Sequence, residues 1–182
     1  SAPIVVDGKA DEDERVRAPR RITDPSFRFD NLGWTHDKRS HLWLLDVATG
    51  DTTKLTDGDA SETSGAWSPD GASISYLSAT DDDRWINPLG YVFTRQIDGE
   101  PVRVSQRGDW SWVGYSPAGV LHAIGQATDT PLLESSPLQR LGDGGFERLT
   151  DLDRALMPGH PPGMLAGPRF LDDGTIHCVL ED

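Results

Sequence analysis

The sequence predicts an all-β fold, specifically a partial β-propeller of about three four-stranded antiparallel blades with incomplete blades at both ends. Three observations lead there. Helical patterning is missing, because no stretch beyond about a dozen residues keeps apolar positions at 3.6-residue spacing. Short runs rich in β-branched and aromatic residues recur instead between Gly, Asp and Pro clusters, as in His41-Leu42-Trp43-Leu44-Leu45-Asp46-Val47, Ser73-Ile74-Ser75-Tyr76-Leu77 and Gly90-Tyr91-Val92-Phe93-Thr94. The runs are also periodic. A basic, an aliphatic and a hydroxyl residue recur as Arg21-Ile22-Thr23, Lys54-Leu55-Thr56, Arg103-Val104-Ser105 and Arg148-Leu149-Thr150, the hydroxyls lying 33, 49 and 45 positions apart. A repeat of roughly 40–50 residues holding four strands is the sequence signature of a propeller blade.

A second element interleaves with the first. It reads Trp67-Ser68-Pro69-Asp70-Gly71, then Tyr115-Ser116-Pro117-Ala118-Gly119, then the degenerate Phe170-Leu171-Asp172-Asp173-Gly174. The aromatic residue ends an inner strand and is expected to pack between blades. Pro sets φ for the turn, and Gly accepts positive φ where the chain reverses. Outer turns are expected at Ala48-Thr49-Gly50-Asp51, Ile97-Asp98-Gly99-Glu100 and Gly142-Asp143-Gly144-Gly145. In chain order, residues 1–18 form a charged N-terminal arm or a frayed outer strand, and residues 19–182 form the propeller segment. Its blades are placed at residues 26–56, 64–106, 111–150 and 165–182, the last holding only two inner strands. One blade cannot bury both faces alone and must stack on its neighbours.

Bulk properties exclude some partners. The formal net charge of -13 argues against nucleic acid and against anionic lipid, both of which call for clustered positive charge. No apolar run approaches the roughly 18 residues of a membrane span. The single cysteine, Cys178, excludes an internal disulfide. With no basic region and apolar stretch opening the chain, the reading is cytoplasmic, with the periplasm left open.

The residues Pro19-Arg20-Arg21-Ile22-Thr23, then Phe27-Arg28-Phe29-Asp30-Asn31-Leu32-Gly33-Trp34, then His41-Leu42-Trp43, followed by the Trp67–Gly71 turn, carry a family resemblance. Residues 16–182 resemble the propeller of prolyl oligopeptidase serine peptidases, and within them the acylaminoacyl-peptidase-like branch. The turn alone also resembles Tol-type propellers. The peptidase resemblance implies a seven- or eight-bladed propeller fused to an α/β-hydrolase domain whose Ser-Asp-His triad cleaves short peptides. It implies partners too: that hydrolase domain, the remaining blades and a peptide substrate. None of the triad motifs has a counterpart in these residues, so the catalytic set here is empty.

Candidate chemistry within the chain is sparse. Gly114-Tyr115-Ser116-Pro117-Ala118-Gly119 resembles a nucleophile elbow but has Ala118 at the second Gly position, and it aligns with the blade turn. The five histidines and Cys178 lack zinc spacing, and Asp81-Asp82-Asp83 lacks the alternation of a calcium loop, so no metal or cofactor is expected. That acidic run reads as a solvated loop, and Cys178 as a buried strand residue between Ile176 and Leu180. Arg20, Arg21 and Arg28 are candidates to hold a peptide carboxylate, set against ordinary inter-strand pairing. Trp85, Met157 and Met164 supply apolar contact surface in the long connections 80–89 and 151–164.

Two functions follow. One is an access propeller that restricts and guides peptides toward a hydrolase domain absent from this chain. The other is a Tol-like protein-binding propeller without enzyme activity. An incomplete ring exposes the backbone and apolar faces of its end blades, which anticipates self-association or a tight partner supplying the missing blades.

Overall fold

The computed structural model describes residues 28–29, 33–34, 39–130, 136–151, 156–157 and 167–180. The chain divides into two compact units, residues 1–38 and 39–182. In the first, strands β1 (Arg28–Phe29) and β2 (Gly33–Trp34) form an antiparallel pair, with Arg28 opposite Trp34 and Phe29 opposite Gly33.

The second unit opens with the pair β3 (Trp43–Leu45) and β4 (Thr52–Lys54). A four-stranded antiparallel sheet follows, built in sequence order from β5 (Glu62–Trp67), β6 (Ser73–Ser78), β7 (Tyr91–Gln96) and β8 (Val102–Arg103). A second such sheet comprises β9 (Gly108–Tyr115), β10 (Leu121–Ala127), β11 (Leu138–Gly142) and β12 (Gly145–Arg148). Beyond it, β13 (Leu156–Met157) pairs with β16 (Val179–Leu180), while β14 (Arg169–Phe170) pairs with β15 (Ile176–His177). No helix occurs among the described residues. The described residues hold two four-stranded sheets, and those within 26–56 form two pairs of short strands.

The repeated turn forms three times with the same backbone. Gly71, Gly119 and Gly174 take φ of 70°, 80° and 84°. Their N–H groups donate to the carbonyls of Ser68, Ser116 and Leu171 at 2.9, 2.9 and 3.1 Å. These are four-residue turns with glycine at the fourth position, where a side chain would be strained. Gly114 therefore lies in β9 and Ser116 opens a strand-to-strand turn, not a strand-to-helix elbow.

The basic-aliphatic-hydroxyl repeat acquires a physical meaning. Leu55, Val104 and Leu149 donate their N–H to the carbonyls of Leu42, Val92 and Leu138 at 2.8, 2.9 and 2.8 Å. One residue on, Thr56 Oγ1, Ser105 Oγ and Thr150 Oγ1 accept from the N–H of those same three residues at 2.9, 2.8 and 3.0 Å. The hydroxyl thus replaces a backbone carbonyl at the last rung of each outer ladder. The main chain is then free to turn away into the link while a buried donor stays satisfied.

Sheets stack face to face, with β9 lying against β5, β6 and β7. Leu77, Val92, Val113, Leu121 and Ala123 form the buried centre of this contact, edged by Val104, Trp110, Leu141 and Phe146. Ser75 has no exposed surface, and its Oγ meets Thr94 Oγ1 and Tyr115 Oη at 2.7 Å each. Tyr115, the aromatic of the second turn, therefore bridges two sheets. Trp67, its counterpart in the first turn, is 46% exposed. A second tie crosses at Ser64, a non-glycine residue at φ 55° in the bulge of β5, whose Oγ accepts the Val113 N–H at 3.0 Å.

Cys178 corrects one expectation. It is exposed, because the strand carrying it splits: β15 pairs with β14 and β16 with β13, leaving Cys178 at the switch between partners.

Replacing Ser105 by Ala is expected to strand the N–H of Val92, a residue with no exposed surface, and to cost about 1–3 kcal/mol of stability. Ser105→Thr should retain most of it. Urea denaturation of both variants measures the difference, and equal midpoints would refute the capping role.

Candidate interaction face

Strand direction alternates along each sheet, so the connections sort to opposite edges. Ile97 donates its N–H to Ala72 O at 3.2 Å, which places the outer turn beside the inner turn. The long connection between β6 and β7 and the links between sheets share the other edge, where a network of charges joins them.

Asp82 and Asp83 are exposed, as a solvated acidic loop requires, but Asp81 and Asp83 also form ion pairs. Arg107, in the link between the two four-stranded sheets, donates from Nη2 to Asp83 Oδ2 at 2.7 Å. Its Nε lies 3.2 Å from Asp81 Oδ2, close enough for an ion pair but off line for a hydrogen bond. The Arg107 hydrogen bond holds the Asp83 carboxyl below the usual carboxylate range, and Asp83 in turn pushes the guanidinium pKa up. Tyr91 donates its hydroxyl to Asp81 Oδ2 at 2.9 Å, and burial followed by that bond pushes the phenol pKa up. Arg103 stacks over the Tyr91 ring at 4.5 Å. Asp82 is left exposed.

A second cluster forms around Trp85. The Arg39 guanidinium lies 4.5 Å and that of Arg84 lies 4.6 Å from its ring centre. Asp59, in the link after β4, receives both arginines, from Arg39 Nε at 2.9 Å and Arg84 Nη2 at 2.6 Å. Cation–π contacts at this range contribute roughly 0.5–1 kcal/mol each at exposed sites. Arg84 also donates to its own loop at Asp81 O, at 2.9 Å. Within the loop, the N–H groups of Ile86 and Asn87 both donate to Asp83 O, at 2.9 and 2.8 Å. A ten-residue connection is thereby pinned at both flanks and wound internally. At its tip Ile86 is 84% exposed.

The six residues singled out from sequence fall differently. Trp85 is placed in this network, half-buried and covered by cations, with Ile86 as the exposed apolar group beside it. Arg28 lies in β1 and Met157 in β13, where the backbone alone is described. Arg20, Arg21 and Met164 lie outside the described residues. Sequence reading missed Arg39, Asp59, Arg84 and Arg107. The one available signal was position, since Asp59 and Arg107 follow the repeat hydroxyls Thr56 and Ser105 by three and two residues.

A second polar cluster lies one strand inward. The buried carboxylate of Glu62 accepts from Thr56 Oγ1 at 2.7 Å and meets His41 Nδ1 at 2.9 Å. It fronts a cleft of about 320 Å³ between β3–β4 and the first four-stranded sheet, lined also by Tyr76, Phe93 and Arg95. Arg95 there donates from Nη1 to Leu55 O.

Among solved structures, TolB from Acinetobacter baumannii superposes with a TM-score of 0.57 at 19% identity, over 79% of this chain and 33% of that one. The fold is a partial β-propeller. The propeller segment spans a third of that TolB. The tricorn protease is also similar, with a TM-score of 0.47 and 22% identity over 60% of this chain and 11% of that one. No protein-family model matches the chain, and no curated protein does.

The Asp83–Arg107 pairing sets a pH dependence. A carboxyl with lowered folded pKa stabilises the loop above its ordinary pKa of about 3.9, and that contribution disappears as pH falls through the folded value. Measured against the intrinsic rate at each pH, hydrogen exchange at the Ile86 and Asn87 amides should therefore stay slow at about pH 5 and accelerate as pH falls below the ordinary carboxyl pKa of about 3.9 in the native chain. In Arg107→Ala it should already be fast at the higher pH. Identical exchange in both proteins would show that the pairing does not hold the loop.

Proposed function

We propose that this chain is a non-catalytic propeller module that binds a protein partner through the face carrying the 80–89 connection. One observation carries the reading. A long connection is held rigid by paired charges on both sides, and it presents an aliphatic residue, Ile86, that is 84% exposed. Loops fixed on a rigid scaffold are where binding residues concentrate. A pre-ordered loop loses little conformational entropy on association, so an exposed aliphatic anchor contributes nearly its full burial energy.

The peptidase reading remains a specific version of this one. Its support is the sequence resemblance through the Asn31-Leu32-Gly33-Trp34 stretch, whose Gly33 and Trp34 pair antiparallel with Phe29 and Arg28. In that version the partner is an α/β-hydrolase domain, and the propeller limits peptide access to it. Arg20, Arg21, Arg28, Met157 and Met164 keep their proposed substrate or contact roles there.

Photo-crosslinking in the source cells separates these readings. A crosslinking residue at Asp82 should give one discrete adduct that Ile86→Asp removes. The same residue at Asp98, on the opposite edge, should not give it. Mass spectrometry identifies the adduct, and a hydrolase domain would select the peptidase version. Equal adducts from both positions, or none from Asp82, would reject this face as the docking surface.

A further inference from the structure

A second site lies at the opposite edge of the strands from the Trp85 network. A cleft of about 510 Å³ opens between the second four-stranded sheet and the β14–β15 hairpin, bounded by the turns at Ser116–Gly119 and Leu171–Gly174. Its apolar walls include Pro117, Val120, Leu149 and Phe170. Val120 is 37% and Leu149 40% exposed, so apolar surface faces the opening.

Four polar groups line it, Ser116 and Asp172 at the turns and, as cross-strand neighbours, His122 on β10 and Arg140 on β11. His122 is only 6% exposed, and its ring lies 4.7 Å from that of Phe170, which fixes its plane. Its Nδ1 is 2.9 Å from Val120 O. A carbonyl can only accept, so Nδ1 carries the proton and Nε2 of the neutral ring carries a lone pair. Burial, the largest influence, lowers the imidazole pKa and favours that neutral form, and the Arg140 charge acts in the same direction. The Nδ1 contact with Val120 opposes them. Arg140 is half-exposed and meets Glu147 through Nε and Nη2, both at 3.1 Å from Oε2, so donors remain on its guanidinium.

At its centre the cleft therefore sets an acceptor, His122 Nε2, beside the remaining Arg140 donors, between apolar walls and with Ser116 and Asp172 at the bounding turns. A carboxylate ligand would satisfy Arg140 but give the neutral imidazole nothing to accept. A hydrocarbon would desolvate both groups without bonding either, at a cost of about 1–3 kcal/mol per group. A peptide unit presents an N–H and a C=O side by side, and an extended chain turns alternate side chains to one face. We propose that this cleft binds an extended apolar peptide segment, with one backbone N–H donating to His122 Nε2 and a neighbouring carbonyl accepting from Arg140. The site is separate from the Ile86 face and does not depend on the function proposed for it.

The test uses the 182-residue chain and acetyl-valyl-leucyl-valinamide, followed by isothermal titration calorimetry and by the His122 ring nitrogen signals. At about pH 7.5 saturable binding is expected, with the Nε2 resonance shifting as it accepts a hydrogen bond. The probe with all its amide nitrogens methylated should bind at least about tenfold more weakly to the same wild-type protein. His122→Phe, which keeps a ring against Phe170, should show a similar loss. Binding should weaken as pH falls through the lowered His122 pKa, where a protonated Nε2 becomes a donor, with Arg140 and Asp172 the charged side chains beside it. Equal affinity for the methylated probe, or no saturation below about 10 mM, would overturn the proposal. Concentration-dependent sedimentation abolished by Leu149→Arg, without peptide binding, would overturn it in favour of a second copy of the chain.

Discussion

The structure depends on sheets that are covered on both faces. In β6 the five residues Ile74 to Ser78 are all buried, and in β10 the five residues Leu121 to Gly125 are. A strand in a free-standing sheet would bury alternate residues only, because successive side chains point to opposite faces. Both faces of these strands meet neighbours, so each sheet is stable only as part of a stack. Buried polar groups follow from the same constraint. Ser75, at the contact, is acceptable because Thr94 and Tyr115 supply partners from its own sheet and from the next.

Stacking requires that the chain leave one sheet and enter the next without orphaning backbone groups, and the repeated hydroxyl does this. Ser105 and Thr150 close the final rung on the third strand of their sheets and Thr56 does the same beside β3, and the link departs immediately afterwards. Links started in this way come out at one edge together with the connection between the second and third strands. Asp59 and Arg107, on successive links, thereby come within reach of Arg84 and Asp83 on a single connection. A device that serves folding thus also positions the charges that hold a prospective binding loop.

Much of the fold was legible because its signals are local. Trp67–Gly71 and Tyr115–Gly119 announce a turn through Pro and Gly, and the backbone confirms it in the positive φ of Gly71 and Gly119. The basic-aliphatic-hydroxyl repeat marks the period, although its purpose as a hydrogen-bonded cap appears only once Leu42, Val92 and Leu138 are placed opposite. Less of the candidate sites was legible. Asp81-Asp82-Asp83 reads as a solvated run because its counter-ion Arg107 lies more than twenty residues away in sequence. His122 carries no motif at all, and only burial against Phe170 and a backbone acceptor gives its ring a defined tautomer.

The sequence by itself determined strand length, turn chemistry and the repeat, since these depend on the conformational preferences of residues adjacent in the chain. It determined as well that no single repeat could stand alone, because one blade cannot bury both of its faces. The tertiary structure decided which charges meet, which aromatic is covered and that the single cysteine, Cys178, is exposed. Tyr115 is bonded across two sheets while Trp67 is nearly half-exposed, although both end the same kind of strand with the same kind of turn. The difference lies in what stacks on each side chain, and stacking is a relation between residues dozens of positions apart, which no local pattern encodes.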